Sequence, residues 1–72
     1  LHTTTQMRYA DGQLEIIQTG LKYVDIYTMN GLHLLHKAAA GSNRIAFPLA
    51  PSAYIIKVTT DKGSYTKKLL GN

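Results

Sequence analysis

Turn-forming residues recur along the whole chain at intervals of about 8–12 residues, so any regular element between them must be short. The residues between the turns alternate between apolar and polar types, and no segment keeps the 3.6-residue period of a helix. The turn signals are Asp11-Gly12, Gly20, Asn30-Gly31, Gly41-Ser42-Asn43, the stretch from Pro48 to Pro51, and Asp61-Lys62-Gly63. Strands are therefore predicted near residues 3–9, 13–18, 22–28, 32–37, 44–47, 53–60 and 63–70.

Seven short strands separated by such turns predict an all-β fold, a seven-stranded antiparallel immunoglobulin-like β-sandwich. Residues 1–72 would form it as a single domain, and we expect this domain to be the C-terminal piece of a longer secreted protein. The clearest element is the stretch from Ala53 to Leu70, which predicts one hairpin: a run rich in β-branched residues, a turn at Asp61-Lys62-Gly63, and a returning run.

Alternation along each strand predicts which side chains are buried, because successive side chains point to opposite faces. In the strand at 53–60, Lys57 marks the solvent side, so the residues that alternate with it should face the core. Leu32 and Leu34 alternate with His33 in the same way. The predicted core comprises Val24, Ile26, Leu34, Leu49, Tyr54, Ile56 and Val58, with Leu69 closing one end.

The composition sets limits on stability and on partners. A chain of 72 residues buries only about 60% of its unfolded surface, and this one has no cysteine to form a disulfide. No apolar run is long enough for a membrane span. The net charge is +4, and residues 37–72 carry the whole excess. Such a half could attract an acidic partner, or its lysines could simply protect exposed strand edges.

Residues that could carry catalysis or bind a metal do not form a recognisable set. His33 and His36 are three apart, so on a regular strand they point to opposite faces and cannot chelate one ion. We expect them to be exposed on an edge strand. No serine lies in a nucleophile motif, and no glycine-rich phosphate loop is present. The sequence predicts no enzyme and no cofactor, although a haem site needing one or two histidines stays an alternative.

Five tyrosines in a basic chain leave a second alternative open. Tyrosines can stack on bases, and a small basic barrel could bind nucleic acid. However, tyrosine is also favoured in strands, and no aromatic RNA-binding signature is present, so we expect no nucleic acid as a partner. The tyrosines are Tyr9, Tyr23, Tyr27, Tyr54 and Tyr65.

The order of the motifs resembles the C-terminal sorting domains of proteins exported by the type IX secretion system of Bacteroidota. Gly12-Gln13-Leu14-Glu15-Ile16 is similar to the early "GxLxI" strand of that family, and Val24 to Gly31 to its "VxIYxxxG" hairpin. Leu49 through Val58 resembles "LxxGxYIVKV", and Lys67-Lys68-Leu69-Leu70 resembles the terminal strand. Ser52 stands where the family usually has glycine, which would strain the backbone if that position requires a positive φ.

The resemblance implies a non-catalytic signal domain whose cargo crosses the periplasm and the outer membrane to the cell surface or the medium. Its partners would be the type IX translocon and a sortase-type protease that removes the signal domain. The alternative is an immunoglobulin-like accessory or adhesion module of a secreted protein. A homodimer through strand edges is a further expectation, because a small sandwich has unprotected edges.

The resemblance also assigns roles to individual residues. The residues expected to contact the translocon are Lys57, Lys67, Lys68, Leu69 and Leu70. The residues expected to define the structural motif are Ile26, Tyr27, Gly31, Tyr54, Val58 and Gly63. The family often ends in further apolar residues and a lysine, whereas this chain ends in Gly71-Asn72.

Overall fold

A computed structural model describes residues 5–70, and these contain seven strands and no helix. The strands are β1 (Gln6–Ala10), β2 (Gln13–Ile17), β3 (Leu21–Thr28), β4 (His33–Ala38), β5 (Arg44–Pro48), β6 (Ala53–Thr60) and β7 (Gly63–Leu70). Six of the seven predicted strands are confirmed to within one residue at each end, whereas the first, predicted near residues 3–9, begins only at Gln6 in the described part of the chain. Residues 3 and 4 of the first predicted strand, and Gly71-Asn72, lie outside the described residues.

The strands form two antiparallel sheets. The smaller sheet has the order β1-β2-β5 and the larger one β4-β3-β6-β7. Three hairpins are local: β1–β2, β3–β4 and β6–β7. One long-range pairing completes each sheet: β2 pairs with β5 in the smaller sheet, and β3 pairs with β6 in the larger sheet.

The buried side chains of both sheets form one core. Leu14 and Ile16 of β2 are fully buried, and they pack in the same cluster as Val24 and Ile26 of β3. The predicted core is confirmed for Val24, Ile26, Tyr54, Ile56 and Val58, while Leu49 and Leu69 are half-buried against it. Burying a large aliphatic side chain contributes about 1.5–3 kcal/mol, so the cluster of eleven buried hydrophobic residues is the main source of stability for this small fold.

The prediction that Leu34 lies in the core is wrong, since Leu34 is 48% exposed, and the neighbouring Leu32 is exposed as well. The cause is a bulge in β4. Ile26 pairs with Leu35 but the next residue, Tyr27, pairs with His33, so Leu34 has no partner across the ladder. An extra residue reverses the alternation beyond it. Leu35 therefore takes the inward position and packs against the core in place of Leu34.

Residues with positive φ occur in the turns and connections where the sequence predicts turns. Asp11 and Gly12 both have positive φ, +53° and +74°. A two-residue hairpin turn needs such angles because they give it the same right-handed twist as the strands that it joins. Ala40 also has a positive φ, +51°, which a side chain other than glycine, asparagine or aspartate adopts at a cost. Ser52 is not among the positive-φ residues, so serine is unstrained where a glycine was expected.

Two tyrosines fasten the connection between β5 and β6. Tyr54, the second residue of β6, is 6% exposed and donates its hydroxyl hydrogen to the carbonyl oxygen of Ala50 at 2.5 Å. Tyr9 of β1 donates in the same way to the carbonyl oxygen of Leu49 at 2.6 Å. Both hydroxyls satisfy carbonyls of an irregular segment, and the aromatic rings fill the core beneath it.

Candidate functional site

The terminal hairpin, β6–β7, is the longest regular element of the chain. Its strands pair residue by residue from Thr60↔Gly63 to Ala53↔Leu70 without a shift in register. The turn is fixed locally, because the hydroxyl of Thr60 accepts a hydrogen bond from the backbone amide of Lys62 at 3.1 Å. Gly63 follows with φ at +133°, a conformation that other residues avoid. The hairpin predicted from the sequence is confirmed, with β7 as one edge of the larger sheet.

The five residues expected to contact a translocon do not share one face. Residues directly opposite each other in an antiparallel pair project from the same face. Lys68 lies opposite Ile55 and Leu70 opposite Ala53, so both share the outer face of the larger sheet with Lys57. In contrast, Lys67 lies opposite the buried Ile56, and Leu69 opposite the buried Tyr54. The structure thus divides the set between the two faces of the hairpin.

The inner face of β7 is largely uncovered by the smaller sheet. Lys67 is exposed despite its inward position, and Tyr65, also inward, is 38% exposed. Only Leu69 on this face is half-buried. The hydroxyl of Tyr65 bonds the side chain of Thr5, which precedes β1. β7 therefore projects beyond the core, and contacts with the rest of the domain are concentrated on its β6 side.

The residues expected to define the structural motif occupy distinct structural roles. Ile26 and Val58 are fully buried on the two central strands of the larger sheet, and Tyr27 alternates with Ile26 onto the outer face. Gly31 lies in the β3–β4 turn with φ at +92°, and its amide donates to the carbonyl of Thr28 at 3.0 Å. Tyr54 hydrogen-bonds to Ala50 in the connection between β5 and β6. Gly63 follows the turn between β6 and β7 with a positive φ.

A cluster of three titratable side chains lies on the outer face of β3 and β4. Nε2 of His33 lies 2.9 Å from Oδ1 of Asp25, and Nδ1 of His36 lies 2.7 Å from the same oxygen. The prediction that the two histidines point to opposite faces is wrong. The bulge at Leu34 moves His33 onto the face of His36. The expectation that both are exposed on an edge strand is confirmed, since about half of each side chain is exposed.

Asp25 is buried, at 8% exposure, so its charge depends on these neighbours. Burial by itself raises the pKa of a carboxyl group, but hydrogen bonds from His36 and His33 and their electrostatic attraction outweigh it. The pKa of Asp25 is consequently below its ordinary value. Sequence reasoning missed this cluster, because two histidines at i and i+3 meet on one face of a strand only when a bulge separates them.

The surroundings of Asp25 are aromatic and cationic. The rings of Tyr23 and His36 have centroids 5.0 Å apart, and those of Tyr27 and His33 have the same separation. Lys57 of β6 lies directly across from Asp25 on the other side. Within residues 5–70, no group of three or more histidine, cysteine or acidic side chains has the arrangement of a metal site. The carboxylate of Asp25 on β3 contacts both histidines of the edge strand β4 and so links that strand to the sheet.

The lysines of the terminal hairpin have no acidic partner within the described part of the chain. The ion pairs found there join Asp25 to the two histidines and Glu15 to Arg44, whose Nε lies 2.6 Å from Oε2 of Glu15. β7 contains no acidic residue. Both lysines of this strand are exposed.

Comparison with known proteins adds no assignment. No known protein family matches this chain, and no curated protein matches it. Among residues 5–70 there is no helix that could cross a membrane.

Proposed function

We propose that this chain is a non-catalytic C-terminal sorting domain that directs a secreted cargo through a type IX outer-membrane translocon and is then removed by a sortase-type protease. The observation that carries the proposal is the order of the motifs, from the "GxLxI" segment at Gly12 to the closing Lys-Lys-Leu-Leu strand. Each motif corresponds to one element of the fold: β2, the β3–β4 hairpin, the β5–β6 corner with β6, and β7.

We also propose that the two sheets form an immunoglobulin-like fold. In immunoglobulin-like domains a tyrosine near the start of the sixth strand hydrogen-bonds to a backbone carbonyl a few residues upstream. The bond from Tyr54 to Ala50 has this arrangement. The pairing β1-β2-β5 beside β4-β3-β6-β7 corresponds to an immunoglobulin-like topology whose fourth strand lies with the third, sixth and seventh strands. We therefore interpret the two sheets as an immunoglobulin-like β-sandwich.

A secretion assay tests the function. Residues 1–72, fused to the C-terminus of a periplasmic reporter, should bring that reporter to the surface of a bacterium with a type IX system. Deleting Lys67 to Asn72 should leave the reporter in the periplasm. Reversing the terminal charges, with Lys67→Glu and Lys68→Glu together, should reduce export. Lys37→Glu is the matched control, because Lys37 is an exposed lysine on the opposite edge strand, β4, and should leave export unchanged.

The deletion also removes Leu69, which packs against the core, so its folding must be measured. If the truncated domain keeps a cooperative thermal transition but its reporter is not exported, the result supports the proposed sorting function. A reporter that stays in the periplasm with the intact domain contradicts it and favours the alternative, an immunoglobulin-like accessory module. Such a module can occupy an internal position in its precursor, whereas a sorting domain must be last.

A further inference from the structure

The edge strands of the two sheets differ in how well they are protected against pairing with another strand. Natural edges are blunted by shortness, proline or a bulge. β1 and β5 have five residues each, and β5 ends in Pro48. β4 is interrupted by the bulge at Leu34. β7 has none of these features: it is eight residues long and pairs regularly with β6 over its whole length.

Within residues 5–70, the protection that β7 has against pairing with another strand is charge. Lys67 projects from its inner face and Lys68 from its outer face, and no acidic residue lies on the strand. Two copies of β7 pairing with each other would bring four lysines onto one short ribbon, and like charges opposite one another destabilise a sheet. A strand with carboxylates at the matching positions would instead gain cross-strand ion pairs. Charge thus selects an acidic partner over a second copy of this chain.

We propose that the edge of β7, which no other strand of residues 5–70 covers, binds an extended acidic segment of a partner protein by β-strand addition. Backbone hydrogen bonds to β7 supply the affinity, and side chains opposite the two lysines supply the selectivity. In the proposed sorting function, this acidic segment would belong to the translocon. Only this biological role rests on the proposed function; the binding itself is inferred from the structure of β7.

The register of β7 defines the sequence of such a segment. In antiparallel addition, two consecutive acidic residues lie opposite Lys68 and Lys67, one on each face. An apolar residue lies opposite Leu69, which is half-buried, and another opposite Tyr65, which offers an exposed ring on the same inner face. The residue opposite Thr66 is polar. The segment therefore reads apolar, acidic, acidic, polar, apolar.

A peptide titration followed by nuclear magnetic resonance tests the proposal. The probe is acetyl-Ile-Val-Glu-Glu-Thr-Val-Thr-amide, added to the isotopically labelled 72-residue chain. The amide resonances of β7 should shift and their hydrogen exchange should slow, while those of β4 stay unchanged. The affinity should fall as salt is raised, since the cross-strand ion pairs are exposed to solvent.

Charge exchange provides the decisive comparison. The double change of Lys67→Glu with Lys68→Glu should weaken binding of the acidic probe about tenfold, from two exposed ion pairs and the new repulsion. The same variant should bind a probe in which two lysines replace the glutamates. Lys37→Glu is the control on β4 and should leave the affinity unchanged. Both lysines of β7 are exposed, and a thermal transition verifies that the double variant folds.

Three results would overturn the inference: no shift of the β7 resonances at millimolar probe, equal binding of the acidic and the lysine probes, or concentration-dependent shifts of β7 without any probe. The last result would indicate that a second copy occupies the edge. Peptide binding is measured without export, so a failure to bind would contradict this inference without contradicting the proposed sorting function. A reporter that is not exported would likewise leave a measured peptide affinity standing.

Discussion

Replacing Asp25 by asparagine keeps the shape of the side chain but removes the charge that two histidines share. Oδ1 of Asp25 lies within hydrogen-bond distance of His33 and His36, and the carboxyl group is buried. A hydrogen bond to a charged group contributes about 1.5–3 kcal/mol, and the amide oxygen of asparagine retains part of this. We expect Asp25→Asn to lower the free energy of unfolding by about 2 kcal/mol at pH 7. Urea denaturation followed by circular dichroism measures it.

The loss should depend on pH with a definite sign. Because the pKa of Asp25 is lowered in the folded state, its ionised form stabilises the fold. This contribution is complete above the unfolded-state pKa of aspartate, about 3.9, and disappears as the pH falls through the lower pKa of the folded state. The difference in stability between the unmodified chain and Asp25→Asn should therefore be large at pH 5–7 and shrink at about pH 3.

Glu15→Gln is the control for removing a carboxylate. Glu15 pairs with Arg44 on a solvent-exposed face, where an ion pair contributes about 0.2–1 kcal/mol. At pH 7, Glu15→Gln should lower the free energy of unfolding by less than Asp25→Asn does. Equal effects of the two changes, or an Asp25→Asn difference that is as large at pH 3 as at pH 6, would refute the argument that the histidines hold a buried carboxylate.

Four further substitutions test individual structural features by thermal unfolding. Tyr54→Phe removes the bond to Ala50 and should cost about 1 kcal/mol, or about 4–8 °C in Tm for a domain of this size; an unchanged Tm would contradict a stabilising role for that bond. Ala40→Gly should raise stability by about 0.5 kcal/mol, since glycine adopts positive φ without strain. Leu35→Ala should destabilise by about 1–2 kcal/mol and Leu34→Ala by less than about 0.5 kcal/mol, and the reverse order would argue against the bulge.

The number of strands and most of the core could be predicted, because turn residues and period-2 alternation are local signals. Tyr54, Ile56 and Val58 alternate with Lys57 in an unbroken strand, so one charged residue was enough to orient all of them. The assignment of strands to sheets depends on pairing between β3 and β6, which no short segment encodes.

The candidate site was predictable only in part, for two physical reasons. A bulge depends on the partner strand, so alternation alone placed Leu34 inside and separated His33 from His36. The position of Asp25 between the histidines follows from the same bulge. The lysines of β7 could be found from sequence, but their division between two faces required the register with β6.

The central pairing of β3 with β6 has a consequence for how the chain reaches this structure. Ile26 pairs with Ile56, roughly thirty residues later, whereas the β3–β4 and β6–β7 hairpins each close a short loop. Docking of these two hairpins closes a long loop, as does the pairing of β2 with β5, and such non-local pairing places β-rich domains among the slower folders, at milliseconds to seconds. Substitutions at Val24 or Val58 should therefore slow refolding, while changes on the outer edge of β7 should mainly accelerate unfolding.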